Sequence, residues 1–317
     1  MNDVERAQEL AKKFKQLQQE TAKVVVGQDA VVEAVLTTIF CNGHCLLVGV
    51  PGLAKTLLVQ TISKVLDLEY NRIQFTPDLM PGDITGSEIL DENRTFKFIK
   101  GPLFANIILA DEINRTPPKT QAALLEAMQE RNVTVNGKQY HLPNPFFVLA
   151  TQNPIEQEGT YPLPEAQLDR FMFNVILDYP SYQEEIQVVK NTTIERNVTL
   201  EKVLTAADIL AFQQLVRKVA VADNVVEYAV KVVNKTRNSS EMSTETTKKY
   251  VSYGAGPRAS QFLILGAKCH ALLRGKYSPD IEDVQAVAYD VLRHRIIKNY
   301  KAEAEGISIE TIIKALL

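Results

Sequence analysis

Residues 45–56, CLLVGVPGLAKT, decide the fold of this chain. The first four, Cys45–Val48, are apolar and predict a buried strand, and a helical pattern begins at Lys55. Between them, Gly49 and Gly52 allow backbone amides to approach an anion closely, as in the phosphate-loop pattern Gly-x-x-x-x-Gly-Lys-Ser/Thr. The start of the helix adds a dipole that favours negative charge. The stretch therefore predicts a strand, a phosphate-binding loop and a helix.

One position departs from that pattern, because Ala54 stands where the second glycine is expected. We therefore expect Ala54 to have an ordinary helical φ, which accepts a methyl group. Lys55 is expected to reach the β and γ phosphates of a nucleotide, and the Thr56 hydroxyl to hold Mg²⁺. The residues expected around the phosphates are Gly49, Pro51, Gly52, Leu53, Ala54, Lys55, Thr56 and Leu57.

Apolar runs alternate with helical stretches before and after the loop. The runs that predict strands are Cys45–Val48, Tyr70–Phe75, Ile107–Ala110, Phe146–Ala150 and Phe173–Leu177. Helical stretches such as Lys55–Leu66 and Lys119–Gln129 lie between them. Strands that are nearly all apolar are typical of a parallel sheet covered on both faces. The alternation therefore predicts a three-layer α/β/α sandwich with a parallel five-stranded sheet.

Two further segments have hairpin signals, and the pattern changes after the last strand. Glu88–Lys100 contains a polar Asp-Glu-Asn turn, and Val133–Leu142 contains an Asn-Gly turn, the strongest short hairpin signal. Ser181-x-x-Glu184 is a capping box, and helical periodicity continues from there to the last residue. We expect an α/β domain over residues 1–180 and an all-α domain over residues 181–317.

Composition favours some classes of protein over others. The chain has 317 residues, of which 45% are hydrophobic and 23% charged, as in an ordinary globular protein of two domains. A net charge of −3 without a long basic run disfavours nucleic-acid binding as the main activity. The polar N-terminus and the short apolar runs predict a cytoplasmic protein without membrane insertion. Cys41 and Cys45 are expected to be buried thiols rather than metal ligands.

Polar residues follow two of the predicted strands. The run Ile107–Ala110 ends in Asp111 and Glu112, and such charges are costly at a buried strand end unless they are paired. Asp111 suits the Mg²⁺ held by Thr56, and Glu112 suits a general base for an attacking water. Asn153 could hold that water and the γ-phosphate, since ligands bind at the carboxyl ends of such strands. Taken alone, the acids could cap a helix and Asn153 could be a turn residue.

Two arginines have positions that local structure does not explain. Arg170 precedes the last predicted strand, and Arg258 begins a long helical pattern. A cation at a helix N-terminus opposes the dipole at a cost of about 0.3–1 kcal/mol, unless an anion lies nearby. A nucleotide phosphate is one such anion. The alternative is that both are ordinary surface arginines.

Taken in order, the motifs GVPGLAKT, ILADEINR, ATQNP, PEAQLDRF and GPRA resemble those of the MoxR branch of AAA+ ATPases. The resemblance spans Val26–Ala259, and it includes the alanine in the phosphate loop. It implies an AAA+ P-loop domain followed by a helical lid that together bind ATP and Mg²⁺.

The resemblance also implies a role for individual residues. Lys55 and Thr56 match the Walker A pair, Asp111 and Glu112 the Walker B pair, and Asn153 sensor 1. Arg170 matches the arginine finger that one subunit supplies to its neighbour, and Arg258 matches sensor 2 within its own subunit. Val26 and Gly27 match the adenine pocket, while Arg115 is a weaker match to a residue at the subunit boundary. In relatives, segments like the two hairpins point toward the pore or the substrate.

The function implied is ATP hydrolysis in a hexameric ring that remodels or matures partner protein complexes. Members of the family act in metal insertion, often beside a von Willebrand factor A domain protein, which another gene would supply here. The alternatives are a nucleotide-gated scaffold with little turnover and, less favoured by the charge, a nucleic-acid motor. A GTPase is rejected, because Asn234-Lys235-Thr236-Arg237 lacks the acid of a guanine-reading motif.

Overall fold

The computed structural model describes residues 3–90, 92, 94–155, 159–194 and 198–317, which divide into two compact units. The first, here the sheet unit, comprises Lys15–Pro164 and Val175–Leu210. The second, here the helical unit, comprises Met1–Phe14, Glu165–Asn174 and Ala211–Leu317. Because neither unit is one continuous stretch, Pro180 is not the point at which they separate. The division into a nucleotide-binding segment 1–180 and a lid segment 181–317 stays a prediction about function.

The elements have the following bounds. The strands are β1 (Cys45–Gly49), β2 (Tyr70–Gln74), β3 (Gly86–Leu90), β4 (Phe96–Lys100), β5 (Ile107–Asp111), β6 (Asn132–Val135), β7 (Lys138–His141), β8 (Phe147–Gln152), β9 (Phe173–Leu177), β10 (Val251–Tyr253) and β11 (Ile297–Lys298). The α-helices are α1 (Asp3–Ala22), α2 (Asp29–Phe40), α3 (Lys55–Val65), α4 (Pro81–Thr85), α5 (Pro118–Glu130), α6 (Glu165–Leu168), α7 (Tyr182–Thr192), α8 (Ala206–Lys218), α9 (Asp223–Lys235), α10 (Glu245–Tyr250), α11 (Pro257–Leu273), α12 (Ile281–Leu292), α13 (Tyr300–Ala304) and α14 (Ile309–Leu316). A 3₁₀ turn spans Ile113–Arg115.

The five predicted strands form one sheet in the order β2-β5-β8-β1-β9, which confirms the predicted α/β fold. The pairs β2–β5, β5–β8 and β8–β1 are parallel. Strand β5 is buried along its whole length, as its apolar sequence predicts. Strand β2 is at an edge, which explains why it is polar and why Ile73 is its only buried residue. The edge position leaves the side chains of Arg72 and Gln74 exposed, and they can bond residues outside the strand.

Both hairpins are present, and they contact each other. In β6–β7 the turn residues Asn136 and Gly137 have φ values of 49° and 78°, as a tight turn of this kind requires. The Asn136 side chain donates a 2.9 Å hydrogen bond to Glu88 on β3, and Phe98 on β4 stacks on Tyr140 at 3.9 Å between ring centroids. In the predicted Asp-Glu-Asn turn of β3–β4, residues 91 and 93 lie outside the described residues.

The helical unit contains α8–α14 in whole or in part, and the predicted helical character of this part of the chain is confirmed. Asp280 caps α12 by accepting a hydrogen bond from Asp283 N. Helices α11 and α12 pack closely, since a Cβ atom at Gly266 would lie 3.1 Å from Val287 Cγ2. A short antiparallel ladder of β10 and β11 is an addition that helical periodicity did not predict. None of the helices in the described ranges has the length and apolarity to cross a membrane.

His44 connects the start of β1 to two other elements of the sheet unit. Its Nδ1 accepts a 3.0 Å hydrogen bond from Val148 N on β8, and its Nε2 lies 3.1 Å from Met128 O at the end of α5. Both contacts suit one neutral tautomer, with the proton on Nε2. Burial, together with the nearby charge of Arg131, lowers the pKa of His44 to about 3. Cys41 and Cys45 beside it are buried free thiols.

The depressed pKa of His44 predicts a loss of stability in acid. His44 binds a proton near pH 6.5 in the unfolded chain but only near pH 3 in the folded chain. Its contribution to the free energy of unfolding is therefore complete above pH 6.5 and declines as the pH falls below that value. We expect His44→Gln to be less stable at pH 7.5, yet to lose about 1 kcal/mol less than wild type between pH 6.5 and 5.5. Urea unfolding at pH 7.5, 6.5 and 5.5 measures these differences, with the exposed His141 on β7, changed to Gln, as the control. Parallel losses in wild type and His44→Gln would contradict the assignment.

Candidate functional site

The register of the sheet brings the carboxyl ends of three adjacent strands to one level. Val48 of β1 pairs with Gln152 of β8, and Ala110 of β5 pairs with Ala150 of β8. The residues that follow, Gly49 at the end of β1 and Asn153 after β8, therefore lie beside one another, and Asp111 ends β5 on the other side. The predicted phosphate loop, acids and polar asparagine thus share one edge of the sheet unit.

The phosphate loop that follows β1 contains two residues with positive φ. Gly52 has a φ of 88°, and a Cβ atom there would meet no atom within 4 Å, so the space over the loop is open. Ala54 has a φ of 54° and is left-handed, so the expectation of an ordinary helical φ is wrong. An L-residue in this conformation costs roughly 1–2 kcal/mol. Leu53 is buried and anchors the loop, whereas Pro51 is exposed.

Helix α3 begins at Lys55 without a side-chain cap, which leaves amides of its first turn available to an anion. Lys55 Nζ donates a 2.5 Å hydrogen bond to Gly49 O, so the ammonium group is folded back over the loop. Burial lowers the pKa of Lys55, and the charges of Asp111 and Glu112 oppose that change. Thr56 is half-buried on the same turn, and Leu57 is exposed.

Asp111 is buried and fully paired. It is 8% exposed, and its Oδ1 accepts a 2.7 Å hydrogen bond from the Thr151 hydroxyl. Its Oδ2 accepts from Arg72 of β2, with distances of 2.7 Å to Nη2 and 3.0 Å to Nε. The Thr151 oxygen in turn accepts a 2.9 Å hydrogen bond from Glu112 N. One threonine on the central strand therefore fixes both acids.

Glu112 is held in a strained and paired conformation. Its backbone is left-handed, with φ 59° and ψ 51°, and its side chain does not cap the 3₁₀ turn that follows. Its Oε2 lies 2.8 Å from Arg115 Nε and accepts a 3.1 Å hydrogen bond from Gln74 Nε2. Non-glycine residues in such backbone regions cost about 1–3 kcal/mol and cluster at functional sites. The contact with Arg115 places that arginine beside the acid; its proposed reach to a subunit boundary stays a prediction.

Asn153 has one satisfied and one unsatisfied group. The residue is 5% exposed, and its Oδ1 accepts a 3.1 Å hydrogen bond from Ile155 N. Its Nδ2 is buried without a hydrogen-bond partner among the described residues. A buried amide left unpaired costs about 1–3 kcal/mol, so this group suits an acceptor supplied by a ligand. Together with the open space at Gly52, it shows that the residues present fit a bound phosphate.

The predicted adenine segment lies under a helix that follows the sheet. Gly27 has a φ of 73°, and a Cβ atom there would lie 2.7 Å from Glu184 Cδ of α7. Val26 beside it is half-buried. The Glu184 carboxylate also accepts a 2.7 Å hydrogen bond from Ser181 N, so the capping box that begins α7 also holds Glu184 beside Gly27.

Arg170 and Arg258 belong to the helical unit rather than to the sheet unit. Arg258 lies in the first turn of α11, and its Nη1 is 3.0 Å from Asp169 Oδ2. The anion that offsets its unfavourable position on the helix dipole is therefore a carboxylate of the chain, which the sequence analysis did not consider. Arg170 follows α6 and is half-buried.

Three residues at the site were missed by the sequence analysis. Arg72 and Gln74 are two positions apart and lie on the same face of β2. Thr151, on β8, precedes Asn153 by two positions. The signal available was the i, i+2 spacing of Arg72 and Gln74, which places both polar side chains on one face of the predicted strand. Among the described residues there is no group of three or more His, Cys, Asp or Glu side chains that could hold a metal ion. Mg²⁺ bound to a nucleotide needs only one or two protein ligands, so the site is compatible with it.

Comparison with known proteins agrees with this geometry. Residues 44–173 match the model of the ATPase family associated with various cellular activities (AAA), and residues 244–316 match the AAA lid domain. A crystal structure of a protein from Cytophaga hutchinsonii superposes with a TM-score of 0.92 at 46% identity, covering 98% of this chain and 95% of that one. The fold and the site thus define a AAA+ ATPase with a lid.

Relatives of known sequence specify the branch. The chain is 45% identical to the chaperone MoxR1 of Mycobacterium tuberculosis over 94% of this chain and 79% of the relative. It is 43% identical to the uncharacterized protein YeaC of Bacillus subtilis, over 93% of this chain and 90% of that protein. The protein belongs to the MoxR family of AAA+ ATPases.

The position of Thr151 predicts a selective effect of removing its hydroxyl. We expect Thr151→Val, which keeps the shape, to reduce the free energy of unfolding by about 1–3 kcal/mol, because Asp111 and Glu112 N each lose a partner. We also expect the turnover of ATP to fall at least ~10-fold, because Glu112 is no longer fixed. Phosphate release and urea unfolding measure the two effects. Thr38→Val, which removes a buried hydroxyl bonded within α2, should lose stability only. Wild-type turnover in Thr151→Val would refute the role.

Proposed function

We propose that the protein hydrolyses Mg-ATP in an oligomeric ring, a hexamer in the family pattern, and uses the reaction to remodel partner protein complexes. The observation that carries the proposal is the arrangement at the edge of the sheet unit. An open phosphate loop, a fixed pair of acids and the unpaired Nδ2 of Asn153 lie at the ends of three adjacent strands. Their chemistry fits a triphosphate and an attacking water.

The residues of the loop divide the work of holding the phosphates. The amides of Gly52 and of the first turn of α3 would hold the anion, and Lys55, which bonds Gly49 O in the structure, would reach the β and γ phosphates. Mg²⁺, when bound, neutralises charge on the phosphates. Thr56 would hold it directly, and Asp111 would lie behind it, paired with Arg72. The Val26 and Gly27 segment would take the adenine.

Glu112 is the proposed general base for the water. Arg115 and Gln74 both bond its Oε2 in the structure, so these two partners restrain the orientation of the carboxylate. With Glu112 restrained in this way, the protein would hydrolyse ATP slowly until its contacts with Arg115 and Gln74 change. Asn153 would orient the water and the γ-phosphate through its free Nδ2. The restraint on Glu112 is also what a nucleotide-gated scaffold with little turnover would need, so the scaffold is the second candidate.

The remaining assignments concern the assembly. Arg170 would be supplied to the nucleotide of an adjacent copy, and Arg258 would act from the lid on the nucleotide of its own chain. A relative named as a chaperone supports a protein client. Metal insertion beside a von Willebrand factor A domain protein, and a cytoplasmic location, follow from the family resemblance. The net charge of −3 disfavours nucleic acid as the client.

The substitution Glu112→Gln tests the proposal. We expect the variant to bind ATP with wild-type affinity and to lose turnover by a factor of at least ~100, because an amide does not accept the proton of the water. Steady-state phosphate release and fluorescent-nucleotide titration measure the two properties. Glu126→Gln, on the exposed face of α5, is the matched control and should hydrolyse normally.

Two outcomes would decide against parts of the proposal. Unchanged turnover in Glu112→Gln would remove the assigned base. If wild type binds ATP but releases no phosphate, with or without partner proteins captured by the Glu112→Gln variant in ATP, then the scaffold function replaces hydrolysis.

A further inference from the structure

Residues 169–172, here the Arg170 segment, are contacted from α12 and the turn after it by one buried cation. Arg295 is 6% exposed and follows α12. Its Nε bonds Asp169 Oδ1 at 2.8 Å, and its Nη2 bonds Asp169 O at 2.9 Å and Phe171 O at 2.6 Å. These partners are the residues immediately before and after Arg170.

The remaining donors of the guanidinium are also used. Arg295 Nη1 donates to Met172 O at 3.2 Å and to Val291 O on α12. An arginine side chain has five N–H donors in a rigid plane, and each of the five has an acceptor here. Four of the five bonds end on the Arg170 segment. Because the fork is planar and its donors are fixed, it specifies the path of the backbone on both sides of Arg170.

Neighbouring contacts reinforce the same segment. His294 Nε2 lies 3.0 Å from Phe171 O, so this carbonyl accepts from two side chains of the turn after α12. Phe171 and Met172 are completely buried, which anchors the segment on its C-terminal side. The second oxygen of Asp169 bonds Arg258. Asp169 therefore joins the segment to both Arg295 and the start of α11.

Arg295 keeps its charge despite its burial. Burial lowers its pKa to about 10, while the carboxylate of Asp169 opposes that effect. The group therefore stays protonated near neutral pH. A buried cation with five bonds is costly to move, because any shift leaves donors without acceptors. The Arg170 segment is thus held against helix α12 by Arg295 within the helical unit.

We propose that Arg295 is a positioning residue for Arg170: it sets the orientation in which the lid presents Arg170 to the nucleotide of an adjacent copy. The inference rests on the proposed function of Arg170 as a residue acting between subunits. It adds that the correct geometry of Arg170 is built by the lid of the chain that supplies it. A defect at Arg295 should then reduce hydrolysis in the neighbouring chain and not in its own.

The test separates supply of Arg170 from hydrolysis by mixing variants. A donor chain, Glu112→Gln, carries an intact Arg170 segment but does not hydrolyse ATP. An acceptor chain, Arg295→Lys, keeps its own phosphate loop and acids, but lysine has three donors and no planar fork. Arg170→Ala is the reference acceptor. Arg237→Lys changes another guanidinium of the helical unit, bonded to Ala255 O and Asn234, and is the control.

We expect Arg295→Lys alone to lose turnover at least ~10-fold with little change in KM, as when an interaction of the transition state is lost. Adding excess donor should raise phosphate release per acceptor chain several-fold, to the level reached by the Arg170→Ala acceptor. Arg237→Lys should keep wild-type turnover. Circular dichroism and nucleotide affinity of each chain establish that the acceptors are folded.

The outcomes distinguish the two proposals. If the donor fails to rescue Arg170→Ala, the action of Arg170 between subunits is wrong. If it rescues Arg170→Ala but not Arg295→Lys, or if Arg295→Lys hydrolyses at the wild-type rate, the positioning role is wrong. If Arg295→Lys does not fold, Arg295→Gln replaces it, because glutamine keeps a polar donor at this position without the planar fork and leaves the pair of Asp169 with Arg258 in place. A loss of turnover in Arg295→Gln that the donor repairs supports the role, and any other result contradicts it.

Discussion

The parallel register of β5, β8 and β1 is the constraint on which the site depends. Because β8 lies between the other two strands, Thr151 reaches the acids at the end of β5, while Asn153 lies beside the start of the phosphate loop. Side chains alternate between the faces of a strand, so a slip of one residue in β8 would turn both away. His44, which bonds Val148 on the same strand, helps to hold this register from the opposite end.

Two residues in left-handed conformations flank the region where the phosphates would lie. Ala54 begins α3 and Glu112 follows β5, with φ values of 54° and 59°. Neither is glycine, so each costs free energy that the surrounding packing must supply. Ala54 is the residue that connects the loop to the first turn of α3. At Glu112 the side chain contacts Gln74 and Arg115, which both bond its Oε2.

Apolar runs separated by helical patterns were enough to predict the five strands of the sheet, and the order of the motifs was enough to predict the family. The sequence could not show the conformation of Ala54, because a pattern of residue types does not specify φ. It could not show the pairing of Asp111 with Arg72 or of Arg258 with Asp169, since 39 and 89 positions separate those partners. It also could not show that the Arg170 segment packs within the helical unit, because compactness depends on contacts between distant stretches.

A triphosphate held by the loop after β1 is the central claim, and calorimetric titration of Mg-ATP into wild type and Lys55→Ala tests it most directly. The account predicts saturable binding of one nucleotide per chain in wild type and an affinity at least ~10-fold weaker in Lys55→Ala, a difference of about 1.4 kcal/mol. A wild-type protein without measurable affinity for ATP, or equal affinity in the two proteins, would contradict it.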